Sequence, residues 1–181
     1  MNKVLFIFVL LAAIALPSRA QKRSSVETST DILMFLPGAA GACTSLLKGD
    51  SEGFWQLAES GATAVAVSYL LKYTIKKERP DGSDMHSFPS NHAAASFAGA
   101  AFLQRRYGWA YGAPAYAVSA YVAWGRVYSK RHDWWDVLAG AAVGVGSAYI
   151  YTRPFSQKHD VVIAPSFAPG GGPGIYFSMS L

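Results

Sequence analysis

Two histidines, three cations and one carboxylate stand in three short stretches of this chain. Lys72 is followed seven positions later by Arg79-Pro80, then comes Pro89-Ser90-Asn91-His92, and then Arg126 with His132 and Asp136. Together they supply what is needed to hold a phosphate, attack it and protonate its leaving group. Arg79 offers a planar fork for two phosphate oxygens, whereas Lys72 offers a point charge. Ser90 stands before an apolar run, in an N-cap position that aims first-turn N–H groups at an anion. His132 and Asp136 are four apart, hence on one helical face, where a carboxylate can accept an imidazole N–H and fix its tautomer.

Each stretch alone has a plainer reading. A Lys/Arg cluster is usually a solvated helix end, which is the reading for Lys76 and Lys77. Ser90 with His92 reads alone as a capped helix carrying a surface histidine. His-x3-Asp is also a metal-ligand spacing, but it lacks further ligands apart from His92 or Asp133, so no metal is expected. Asp133, next to His132, is expected to point elsewhere. His86 and His159 are read as non-catalytic, with His86 beside the entrance to the site.

The three stretches in order resemble the type-2 phosphatidic acid phosphatase (PAP2) family, whose pattern runs K-x6-RP, PSGH and SR-x5-H-x3-D. That family is related to vanadium haloperoxidases and class A acid phosphatases. The resemblance covers about Lys72 to Asp136 and departs at Asn91, where the family has glycine, and at Gly125, where it has serine. It implies His132 as nucleophile, His92 as general acid and base, and Asp136 as the group orienting His132. It implies Lys72, Arg79, Ser90, Asn91 and Arg126 as phosphate-binding residues, with no metal or other cofactor.

The elements that must position these groups follow from composition. The chain has 181 residues, enough for one domain with a real core. Met1–Ala20 reads as a secretory signal ending in Ser18-Arg19-Ala20, with an uncleaved first helix as the alternative. Without Lys3 and Arg19 the formal charge falls from +5 to +3, which does not argue for nucleic acid. The single cysteine, Cys43, excludes an internal disulfide and is read as buried.

Gln21–Thr30 reads as a loose polar leader. Five apolar stretches follow: Ile32–Leu47, Phe54–Ile75, His92–Leu103, Trp109–Trp124 and Trp134–Tyr151. Their patterning predicts helices, and Ala139, Gly140, Gly144 and Gly146 predict close helix approach. The first of the two motif residues in Lys72 and Arg79 is expected on a helix running to Pro80, which brings both to one face. Several stretches are short of the about 20 apolar residues of a span. Against that, Arg105-Arg106 inside and all three motifs outside make a consistent membrane topology. Residues 152–181 read as a tail of short strands, since Ile175, Phe177, Met179 and Leu181 alternate with polar or aromatic neighbours.

The expectation is thus an all-α PAP2/haloperoxidase-like helical bundle over residues 31–151, embedded in a membrane, with a C-terminal β-hairpin. Its function would be metal-independent hydrolysis of a lipid phosphate or diphosphate through a phosphohistidine. Phosphatidic acid, phosphatidylglycerol phosphate, undecaprenyl diphosphate and lipid A phosphates are the candidates. The competing readings are a soluble periplasmic acid phosphatase, a vanadium haloperoxidase and a non-catalytic lipid-binding membrane protein. The compartment would be the bacterial inner membrane with a periplasmic site, or the soluble periplasm. No obligate protein partner is implied.

Overall fold

The computed structural model describes residues 23–155, 161–167 and 173–179. The expected secretory signal over 1–20 and His159 lie outside them. Six helices follow in order: α1 (Arg23–Leu33), α2 (Leu36–Leu47), α3 (Ser51–Thr74), α4 (Asn91–Tyr107), α5 (Trp109–Tyr128) and α6 (Trp134–Tyr151). Two strands, β1 (Val161–Phe167) and β2 (Pro173–Met179), pair antiparallel from Val161↔Met179 to Phe167↔Pro173. The molecule is therefore helical with a terminal hairpin, as the patterning indicates.

Helix α4 is the axis of the bundle, packing against α2, α3, α5 and α6. Its inner face is mostly alanine: Ala93, Ala94, Ala98, Ala100 and Ala101 are buried, joined by Phe102 and Leu103. Small side chains let α6 lie almost on the α4 backbone. A Cβ at Gly140 would collide with the Ser90 carbonyl, and one at Gly144 with that of Ala94. Gly146 faces open space and takes no part in this approach.

Polar caps fix where the helices start. Asp50 accepts the Gly53 N–H (2.9 Å) and Ser90 that of Ala93 (3.4 Å). Asp133 and Asp136 form a reciprocal capping box on α6, each carboxylate accepting the other's backbone N–H (3.0 and 3.1 Å). At the end of the bundle away from the motifs, Arg106 donates from Nε and Nη2 to the two Asp50 oxygens (2.8 and 2.6 Å). Both partners are buried, and Tyr107 donates its hydroxyl to the same carboxylate (2.7 Å).

Three expectations change. Residues 23–30 are helical, because α1 is anchored through its carboxylates: Glu27 accepts from Arg131 Nε at 2.6 Å, and Asp31 from Arg126. The apolar stretch Ile32–Leu47 is interrupted by a turn at Met34-Phe35. Cys43 is exposed, since the face of α2 turned inward is Pro37, Gly41, Thr44 and Ser45.

Candidate active site

The motif residues gather at one end of the bundle, where α3 ends, α4 and α6 begin and α5 ends. Helix α3 stops at Thr74, so Arg79 is not on Lys72's helix. Ile75 is extended, and the chain then doubles back: Lys77 bridges His86, and Arg79 N–H donates to Asp84 O at 2.9 Å. β-Branched Thr74-Ile75 and this loop pairing end the helix six positions before Pro80. Arg79 reaches the site from a loop.

Lys72 is buried, with Nζ donating to the carbonyls of His86 (2.7 Å) and Pro89 (3.0 Å). An ammonium has three donors, so one remains for a ligand. These contacts also pin the loop that precedes Ser90. Arg79 Nε forms an ion pair with Asp84 Oδ2 at 2.8 Å. Arg126, 4% exposed, donates Nη1 to Asp31 Oδ1 (2.7 Å), while its Nε has no acceptor among the described residues.

A buried guanidinium Nε–H without an acceptor, as in Arg126, is unusual, because an unmade buried hydrogen bond costs about 1–3 kcal/mol. It suits an anion that brings its own oxygens. The Asn91 side-chain oxygen, at the start of α4, is buried without a partner among the described residues, but as an acceptor it does not serve a phosphate oxygen, which would take the amide N–H instead.

His132 precedes α6 and is 3% exposed. Its Nδ1 stands 3.5 Å from Asp136 Oδ2, and no full hydrogen bond joins them. The reason lies in what else Asp136 holds. Its Oδ2 already accepts from Ser87 Oγ and the Asp133 N–H, and its Oδ1 from Lys77 Nζ at 2.7 Å. Burial holds the His132 ring below the usual histidine value. Asp136 opposes that shift, and the charges of Arg126, Arg79 and Lys72 reinforce it. A neutral ring is what nucleophilic attack requires.

Lys77 is not a bystander. Its Nζ bridges Asp133 (2.6 Å) and Asp136 (2.7 Å), and although burial opposes it, those two carboxylates raise its proton affinity. Asp133, in turn, caps α6 and braces this network.

His92, on the first turn of α4, places Nε2 2.8 Å from Asp31 Oδ1. His132 is close enough to His92 for its charge to act on that ring. Asp31 therefore bridges His92 and Arg126. The sequence offered little warning, since Asp31 lies nearly a hundred residues before Arg126 in a segment of mixed polarity. Lys77 and Ser87 were missed for a similar reason: a fixed loop, not a helical spacing, carries them to Asp136. His86 packs edge-on against Tyr73, 5.3 Å between ring centroids, beside the site. Among the described residues no group of three or more His, Cys, Asp or Glu side chains is arranged to hold a metal.

Gly125 has a structural cause. A side chain there would strike Thr30 Cγ2, because α1 crosses α5 at this glycine. The crossing places Asp31 on Arg126.

The model of the PAP2 superfamily matches residues 53–160, and the chain belongs to that superfamily. The chain is a phosphatase. The chain is similar to the lipid A 4'-phosphatase of Helicobacter pylori, 28% identical over 192 residues, covering 97% of this chain and 96% of that one. It is also similar to the lipid A 1-phosphatase of Porphyromonas gingivalis, 35% identical over 106 residues, covering 54% of this chain and 24% of that one. No solved structure matches.

Proposed function

We propose that this protein removes a phosphate from a lipid A-type phosphate monoester at the bacterial envelope, through a phosphohistidine on His132. The observation that carries the chemistry is the buried Arg126 guanidinium, whose Nε–H has no acceptor among the described residues, at the same end of the bundle as the buried His132 and the cations Lys72 and Arg79. The similarity to a lipid A 4'-phosphatase over nearly the whole chain supports the substrate class and puts the 4'-phosphate first.

In the first step His132 Nε2 forms a bond to phosphorus while the bond to the leaving oxygen breaks. His92 gives that oxygen its proton. Asp136 faces the opposite ring nitrogen and stabilises the cation that develops. Arg79, Arg126, the free Lys72 hydrogen, Ser90 and Asn91 hold the non-bridging oxygens, where charge accumulates. In the second step His92 takes a proton from water, the hydroxide attacks phosphorus, and the P–N bond breaks to regenerate His132 and release phosphate. Three fixed cations neutralise the transferred group, so no step calls for a metal.

Membrane association rests on the outer surface. By length and composition alone, Ser25–Leu47 is the one described segment long and apolar enough to cross a membrane, although the turn at Met34-Phe35 divides it. Exposed aromatic residues stand at both ends of the bundle: Trp124, Tyr128, Trp134 and Trp135 near the site, and Phe54, Trp55, Trp109 and Tyr149 at the other. Leu70 and Leu138 are exposed as well. Paired aromatic bands are what a protein facing two membrane–water interfaces presents. In this arrangement a lipid's phosphate reaches the site from the bilayer surface while its acyl chains stay in the hydrocarbon.

The test is phosphate release by the purified full chain in detergent, with chelator present. Lipid A, phosphatidic acid, a prenyl diphosphate and a water-soluble phosphomonoester are the substrates. Preference for lipid A supports the reading, and preference for the soluble ester turns it into the acid-phosphatase alternative. Abolition by chelator contradicts the metal-free mechanism.

A further inference from the structure

We propose that Asp31 is a specificity-determining residue that favours phosphate esters of uncharged alcohols over diphosphates. This rests on the phosphatase reading above and on the assignment of His92 as the acid.

One carboxylate oxygen of Asp31 lies 2.8 Å from His92 Nε2 and 2.7 Å from Arg126 Nη1. The group that His92 protonates is the leaving oxygen, which must come within hydrogen-bond reach of that ring. The leaving group therefore departs beside Asp31, whichever ring nitrogen delivers the proton. The Asp31 side chain is half exposed, so it can yield its place on His92 by rotating outward. It cannot go far. Helix α1 is fixed by Glu27 on Arg131 (2.6 Å), by Ser29 and Tyr121 hydroxyls 3.0 Å apart, and by fully buried Thr30 against Gly125.

The consequence depends on what leaves. The alkoxide of an ester becomes a neutral hydroxyl on protonation, and neighbouring hydroxyls of a polyol or sugar can donate to the displaced carboxylate. The leaving group of a diphosphate is itself a phosphate, whose negative charge would sit against Asp31. Arg131, which also faces α1, offers that charge little relief because Glu27 and Asp81 already hold it (2.6 and 3.1 Å). Lys72 and Arg79 serve the transferred phosphoryl group. Repulsion between like charges a few ångströms apart in a partly desolvated site is a means of rejecting the wrong substrate.

The experiment compares kcat and KM of the full chain in detergent for a lipid phosphomonoester and for a prenyl diphosphate. Wild type, Asp31→Asn and Asp31→Glu are assayed. Wild type is expected to prefer the monoester, and Asp31→Asn to move the kcat/KM ratio toward the diphosphate by about tenfold, chiefly through its KM. Asp31→Glu keeps the charge and should keep the preference. A wild-type preference for the diphosphate, or an unchanged ratio in Asp31→Asn, overturns the proposal. An equal loss on both substrates does the same, since that is what a merely structural contact gives. If the wild-type chain releases phosphate from neither, the phosphatase reading falls and this inference with it.

Discussion

Lys77 Nζ sits 2.7 Å from Asp136 Oδ1, tying the loop after α3 to the buried carboxylate behind His132. Asp136 is fully buried, and Lys77 is its one cationic hydrogen-bond partner among the described residues. Lys77→Met would leave that carboxylate with Ser87 and the Asp133 N–H alone. Chemical denaturation should show a loss of about 1–3 kcal/mol, as for other buried charged groups that lose a partner. Activity should fall while substrate KM changes little, because Lys77 is committed to the carboxylates.

The two histidines should fail differently. Losing His92 removes proton transfer, worth roughly 10²–10⁴-fold, and a substrate with an acidic leaving group such as p-nitrophenol should recover most of that loss. His132→Ala removes the nucleophile, so leaving-group acidity should recover nothing. Steady-state rates on an alkyl and a nitrophenyl phosphate for both variants make the comparison.

The acid side of the pH–rate profile should lie below about 6.5, the ordinary histidine value, because burial and the surrounding cations keep His132 neutral. Arg79→Gln removes one of those cations and should move the limb upward. Asp136→Asn removes the opposing carboxylate and should move it further down while lowering the rate. Stability follows the same sign. With the folded value below the unfolded one, the contribution of the neutral ring is present above about 6.5 and is lost as pH falls below it. Rate profiles and thermal unfolding between pH 4 and 8 test both.

Gly125→Ser restores the residue of the family pattern yet should harm this chain. The new Cβ meets Thr30, so α1 must move away from α5. Overpacking of this kind costs about 1–3 kcal/mol, and here it also loosens Asp31 from Arg126. The double variant Gly125→Ser with Thr30→Ala should regain much of the loss, as read by melting temperature.

Much of the molecule was legible in advance because its signals are local. The start of α4 follows from Ser90, whose side chain caps it, whereas the cap of α6 is Asp133, which was expected to point elsewhere. His132 and Asp136 do come together, 3.5 Å apart, but His132 precedes α6, so the pairing is not the shared helical face that their spacing suggests. What was illegible depends on distant partners. Arg79 looks helical until the loop pairs Lys77 with His86, and Lys77 looks solvated until α6 delivers Asp133 and Asp136. Helix α1 looks like a polar leader because its order comes from Arg126 and Arg131, nearly a hundred residues later. Cys43 looked buried because an apolar run does not say which side of α2 faces in.

The phosphohistidine on His132 is the centre of the account, and rapid quenching into alkali during turnover of a lipid phosphate labelled with radioactive phosphorus tests it most directly. Label is expected on the peptide containing His132, stable in base and lost in acid, and absent in His132→Gln. Unlabelled protein during full-rate turnover, or label on any other residue, would contradict it.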